Sequence, residues 1–286
     1  MANAQFPEIT LFSAIRQDAE ILFLFLEALK RLSYPGKLSF WFYDDNDQDE
    51  AKHLLHSFCQ ESGAEILPSL GFPPQAFIKT EETHQWNTAI VDRVIAIKNF
   101  AIARFLNTTA EYLFLIDSDL ILQPQTLEVL LETQSWIVSE VFWTQWRQSA
   151  SHTPYLPNVW DLHEYSFSSP ESILRLREPG LYRVGGLGAC TLIHRQALEV
   201  GLNFSRITGV NFWGEDRHFC IRASCLGIGL YADTHIPPFH IYRKSLIPQC
   251  QEWLKMGSRS SFFRTWLDEE WETQIRSLFQ TTQGRQ

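Results

Sequence analysis

Apolar residues recur along this chain in two alternating rhythms, short continuous runs and longer stretches at helical spacing. "EITLFSAI" (8–15) predicts a first strand, and "DAEILFLFLEALKRL" (18–32) predicts a helix stopped by "SYPG". "KLSFWFYDD" (37–45) predicts a second strand that runs into acid. "DEAKHLLHSFCQESG" (49–63) reads as a helix with Gly63 as its stop, and "AEIL" as a short third strand. Residues 88–106 carry apolar positions at helical spacing, "EYLFLID" reads as a strand, and "QPQTLEVLLE" as a helix. Such βαβα alternation predicts an α/β fold with a largely parallel sheet and helices on both faces. The unbroken run "YLFLI" fits a strand buried on both sides.

Beyond residue 140 the rhythm loosens. The aromatic, proline-dotted stretch 141–170 reads as a long functional excursion. "GLYRVGGLGACTLIHRQALEVG" (180–201) then reads as strand, glycine turn, strand and helix. "GEDRHFCIRASCLG" (214–227) predicts a helix with acid at its start and glycine at its end. "IGLYADT" and "PPFHIY" predict late strands, and residues 247–280 two helices.

Composition narrows the function classes. At 286 residues, 45% hydrophobic and 20% charged, the chain has an ordinary globular make-up. A net charge of −9 argues against a nucleic-acid partner. The five cysteines are scattered and form no CxxC pair, which predicts neither a zinc site nor a disulfide framework and suits a reducing compartment. No signal peptide is read at the N-terminus, and the most apolar run, "ILFLFLEAL", is too short to cross a bilayer. These features predict a cytoplasmic protein without a transmembrane segment. The aromatic tail, with Arg259 and Arg264 beside Phe262 and Phe263, is expected to pack on the core as an amphipathic helix and leaves room for a peripheral membrane contact.

Acid pairs carry the candidate chemistry. "YDDNDQDE" superficially suggests a calcium loop, but Glu50 and His56 stand where that loop needs glycine and glutamate. A surface turn and a helix N-cap account for Asp47 and Asp49. Asp117 and Asp119 differ, because they follow a buried strand at the edge where open α/β sheets bind ligands. Residues two apart in extended backbone point the same way, so both carboxylates can face one cation. Oxygen ligands suit Mg²⁺ or Mn²⁺, and the small Ser118 leaves room for a diphosphate. The plainer reading is an acidic turn at a strand end. "GGLGAC" offers Gly185 and Gly186 where backbone must approach a ligand or another strand. "WGED" puts Glu215 and Asp216 at a helix start, as caps or as functional acids, and His240 closes a late apolar strand.

The order of these features resembles glycosyltransferases of the GT-A fold, over residues 8–243. The resemblance implies a domain at 1–243, with a nucleotide-sugar half at 1–140, an acceptor half at 141–243 and a helical extension at 244–286. It implies Asp117, Asp119 and His240 around a divalent cation, with Asp44 or Asp45 at the nucleoside. Asp216 becomes the candidate base, with Glu215 second. "DRVIAIKNFAIARFLNTTAEYLFLIDSDLILQP" is also similar to the mannan-polymerase family of mannosyltransferases, which would put Arg93, Lys98 and Asn99 near the diphosphate. Lys98 departs from the arginine usual there. The implied reaction moves a sugar from GDP-mannose or a UDP-sugar to a hydroxyl of a glycan or glycolipid. Trp143, Trp146, Trp160 and Trp213 are candidates for stacking on acceptor sugars. The alternatives are a nucleotidyltransferase, against which "SAIRQDAE" lacks the glycine-rich loop after the first strand, and an inactive transferase-like binding module.

Overall fold

The structure is a computed structural model and describes residues 6–73, 80, 86–146, 153–161, 167–210, 214–256 and 266–283. Trp213 and residues 259–264 of the tail lie outside the described residues. The first half follows the predicted order: β1 (Ile9–Ile15), α1 (Ala19–Lys30), β2 (Leu38–Asp44), α2 (Asp49–Ser62), β3 (Glu65–Ile66), α3 (Thr88–Phe105) and β4 (Tyr112–Leu115). Then come β5 (Leu120–Ile121), α4 (Thr126–Glu132), β6 (Ile137–Glu140), β7 (Trp143–Thr144), β8 (Leu156–Pro157) and α5 (Pro170–Leu174). β9 (Leu181–Val184), β10 (Thr191–His194), α6 (Arg195–Glu199), α7 (Glu215–Cys225), β11 (Leu230–Asp233), β12 (Phe239–His240) and α8 (Ile247–Met256) follow, before a C-terminal helix, Glu269–Gln283.

Local chemistry explains these boundaries. α1 buries Ile21, Leu22, Leu24, Phe25, Leu26 and Leu29, and each such side chain contributes roughly 1.5–3 kcal/mol when fully buried. α2 ends at Gly63, whose φ of 71° is the left-handed conformation that glycine adopts without a Cβ penalty. The expected side-chain N-cap of α2 does not form: Gln48 holds the cap position and Asp49 is the first helical residue. α3 starts at Asn87, whose side chain accepts the Ile90 N–H.

Eight strands form one sheet in the order β3-β2-β1-β4-β10-β6-β11-β9. Six run one way, and only β10 and β9 run the other. The chain builds outward from β1 through β2 to β3, then returns to the other side of β1 with β4. Neighbouring crossovers therefore leave β1 and β4 in opposite directions and open a crevice beyond their carboxyl ends. Asp44, Asp117, Glu140 and Asp233 all stand at this edge. β6 was not expected from the sequence, because its four residues IVSE end in an acid that is nonetheless fully buried.

Two small ribbons complete the edge. β5 pairs antiparallel with β12, matching Leu120 with His240. β7 pairs with β8 inside the excursion expected at 141–170. Apolar residues of the C-terminal extension, including Trp253, Leu267, Trp271 and Ile275, belong to the same core as the sheet. Trp271 stands edge-on to Trp143 at 5.6 Å, and its indole donates to the Tyr155 carbonyl at 2.9 Å. Trp143 is thus core packing, not an exposed platform for a sugar. Replacing Trp271 with alanine should cost about 3–5 kcal/mol and lower the main unfolding transition in urea. An unchanged midpoint would show that the C-terminal helix contributes nothing to the core.

Candidate active site

A cleft of about 1010 Å³, part of it open to solvent, occupies the crevice between β1 and β4. β1 and the turn after it supply Phe12, Ala14, Arg16 and Gln17. Asp45 follows β2, while Trp86, Ile90, Arg93, Val94, Ile97 and Lys98 come from α3 and its approach. Asp117, Ser118 and Asp119 form the rim after β4, and Ala189 and Glu215 close the far side. One face is therefore largely apolar and the rim is charged, the usual character of a small-molecule site.

Asp119 and His240 meet through the β5–β12 ribbon. The Ile241 N–H donates to the Asp119 carbonyl at 2.8 Å, which fixes the register, and His240 Nε2 lies 3.6 Å from Asp119 Oδ1. The other ring nitrogen, Nδ1, is engaged by the Thr144 hydroxyl at 2.7 Å. A second partner on the far nitrogen orients a histidine in the manner common for metal ligands. Asp117 is exposed to the cleft, yet the protein around it excludes much of the water. That desolvation pushes its carboxyl up; Lys98 pulls it down, and the charges of Asp119 and Glu215 raise it again. Two carboxylates and an imidazole are a donor set that suits Mn²⁺. Among the described residues, no three such side chains converge as a preformed metal cage.

The far side is organised by Lys98. Its ammonium donates to Glu215 Oε1 at 2.5 Å and to Asp216 Oδ1 at 3.2 Å, and it lies 4.9 Å from the Phe204 ring centre. Burial alone would lower the Lys98 pKa, but Asp216, Glu215 and Asp117 together hold it raised and the residue charged. Burial pushes Asp216 up to about 7, against the pull of Lys98 and with the push of Glu215 and Asp117. A side chain at Gly188 would strike Asp216, since a Cβ there would lie 2.3 Å from Oδ2. Glycine at 188 is therefore what lets the acid sit at the cleft.

Of the residues singled out from sequence, Asp45, Arg93, Lys98, Asp117, Ser118, Asp119 and Glu215 line one cleft. Asp216 touches it through Lys98, and His240 through Asp119. The cations are not displayed to a diphosphate as expected. Lys98 is engaged by the two helix-start acids, and Arg93 pairs with Asp45, donates to the Pro73 carbonyl at 2.8 Å and lies over Phe72.

Asp44, Asn99, Gly185 and Gly186 also fall outside the cleft lining. Asp44 accepts from the Asn46 backbone and side chain, so it shapes the turn after β2. Asn99 faces residues 203–206, accepting the Phe204 N–H and donating to Ser205 Oγ. Gly185 and Gly186 bridge to the Trp160 backbone, and a Cβ on Gly186 would lie 1.8 Å from the indole. Gly186 admits the Trp160 ring, which packs under Arg217. Trp146 remains partly exposed, 6.3 Å from His240 and 5.2 Å from Tyr242 between ring centres. Arg16, Gln17 and Trp86 were missed. The signal for the first two was their place in the turn after β1, at the ligand edge of the sheet.

Known proteins place this geometry in a family. The description glycosyltransferase family 25, N-terminal domain, matches residues 6–151. A glycosyltransferase 25 family member of Drosophila melanogaster is 28% identical over 139 residues, covering 46% of this chain and 22% of that protein. Its counterpart in Drosophila pseudoobscura pseudoobscura is 26% identical over 125 residues, covering 42% of this chain and 20% of that one. The matched region thus spans about a fifth of these relatives. Among solved structures, the mannosyltransferase PcManGT of Pyrobaculum calidifontis, in complex with GDP-Man and Mn²⁺, superposes with a TM-score of 0.53 at 13% identity, over 84% of this chain and 59% of that one. GalNAc-T7 with UDP, GalNAc and Mn²⁺ gives 0.54 at 11% identity, over 83% and 44%. At these identities the superpositions establish the GT-A fold. With the family match covering half of the sequence, the chain belongs to glycosyltransferase family 25.

Proposed function

We propose that this chain is a metal-dependent hexosyltransferase that moves a sugar from a nucleotide-diphosphate donor, GDP-mannose or a UDP-sugar, to a hydroxyl of a glycan or glycolipid. The observation that carries this reading is that Asp117, Asp119, Asp45 and Arg93 share one cleft at the β1–β4 crevice, with His240 held beside Asp119. In this reading the nucleoside lies against Trp86, Ile90 and Val94, with the Asp45–Arg93 pair at its edge. Asp117, Asp119 and His240 would hold a Mn²⁺ or Mg²⁺ ion, which supplies Lewis-acid stabilisation of the charge that grows on the leaving diphosphate.

The rest of the chemistry belongs to side chains. Lys98 neutralises Glu215 and fixes Asp216 at the far wall, so its first effect is on the acceptor side. Asp216 takes the proton of the attacking hydroxyl, which is a poor nucleophile unaided. Trp146 offers a partly exposed ring beside His240 on which an acceptor sugar can stack. The donor-sugar readings rest on the sequence resemblance, and release of nucleoside diphosphate from a panel of nucleotide-sugars, with and without Mn²⁺, tests them. No release from any donor would leave the inactive-module alternative standing.

Two outcomes follow from the site itself. Asp119→Ala should abolish metal-stimulated transfer, a loss of at least about 10²-fold, while the circular dichroism spectrum stays unchanged; wild-type activity that survives EDTA in full would remove the metal. Asp216 is protonated below about pH 7 and ionised above it. A base must be ionised, so turnover should fall about tenfold per unit as pH drops below that value. Asp216→Asn should keep donor affinity and lose both turnover and this acid limb. A collapse of donor affinity instead would take the base role from Asp216.

A further inference from the structure

Glu140 and Asp233 end the neighbouring parallel strands β6 and β11 and face each other in register. Their exposures are 0% and 1%. Neither Glu140 oxygen has a hydrogen-bond partner when both groups are carboxylates, although the side chains lie within reach of each other. Asp233 is already committed as an acceptor, taking the His235 backbone N–H and ring Nδ1 at 2.8 Å each. A buried, unpaired carboxylate beside another is strongly unfavourable. One proton relieves it, since Glu140 then donates to an oxygen of Asp233.

The pair lies beneath the turn that shapes the site. Ala189 and Cys190 take left-handed backbone conformations, at φ 45° and 47°, which side-chain-bearing residues seldom adopt. The turn is tied down from β6: the Glu140 N–H donates to the Cys190 carbonyl and Ser139 Oγ to the Ala189 carbonyl. Asn158 Nδ2 bonds the Gly188 carbonyl at 2.8 Å. Ala189 lines the cleft and Gly188 abuts Asp216, so this turn carries β6 into the candidate site.

We propose that Glu140 donates a hydrogen bond to Asp233, and that this carboxyl pair is a positioning element holding the 188–190 turn against the cleft. The titratable groups around Glu140 are Asp233 of β11, His235 beyond it, and Cys190 of the turn. Burial first, then the charge of Asp233, hold the Glu140 carboxyl well above its ordinary range. A raised carboxyl stabilises the fold fully at low pH and loses that contribution as pH rises through its folded value.

The effect of the turn on transfer rests on the reading above; the protonation of Glu140 does not, and is tested first. In wild-type protein carrying ¹³C only at glutamate carboxyls, one resonance should stay at the protonated position after the ordinary glutamates have ionised. If every glutamate has ionised by then, the proposal is overturned. Glu140→Gln keeps the shape and a permanent donor. Its Tm should gain on wild type as pH is raised from about 5 to 9, by about 2–4 °C or more, and a constant difference overturns the proton link. The alkaline side of the transfer profile should flatten in Glu140→Gln. Flat stability with an unchanged labelled resonance would instead assign that resonance to another glutamate and end the proposal. A failed activity assay with both physical readouts as expected would count only against the transferase reading.

Discussion

Like charge at the end of a sheet is the constraint on which this structure turns. Asp45, Asp117, Asp119, Glu140, Glu215, Asp216 and Asp233 gather where the parallel strands end or where α7 begins. In partly dehydrated surroundings such a row is unstable unless each acid finds a cation, a proton or a donor. The structure uses a different remedy for each group. Arg93 and Arg16 serve Asp45, Lys98 serves Glu215 and Asp216, and His235 serves Asp233. Asp117 feels Lys98 at a distance, and His240 stands beside Asp119. In the proposed reading, a divalent cation would complete this acidic rim.

The strand order gives these acids a site. Building β2 and β3 on one side of β1 and β4 on the other opens a crevice between two crossovers. The apolar approach to α3 fills one wall, and the β5–β12 ribbon carries His240 across to the other. A late segment of the chain thus meets residues more than a hundred positions earlier. The same holds for Lys98 and the Glu215–Asp216 pair. The two walls of the cleft are joined by the charge pairs of Lys98 with Glu215 and Asp216.

Much of this was legible in the sequence because periodicity and charge agreed. Uniform apolar runs gave β1, β2 and β4, helical spacing gave α1 to α3, and the acids after β4 marked the ligand edge. β6 was hidden because a buried glutamate ends a strand of only four residues, and its proton cannot be seen in a letter code. The partners of Lys98 and Arg93 were equally hidden. Their spacing on α3 says that they share a cleft, but only the fold says that acids had already claimed them. Gly185 and Gly186 misled for a related reason. A glycine marks close approach of something, at Gly186 the Trp160 ring, while the glycine that makes room for Asp216 is Gly188.

In the proposed reading, Asp119 and His240 form part of a divalent-ion site that serves a nucleoside diphosphate. Mn²⁺ electron paramagnetic resonance, with GDP or UDP present, tests it most directly. Wild-type protein should immobilise the ion only together with the nucleotide, and His240→Ala or Asp119→Ala should leave it free in solution. Nucleotide bound with undiminished affinity in a metal-free sample, and Mn²⁺ held equally by the two variants, would contradict it.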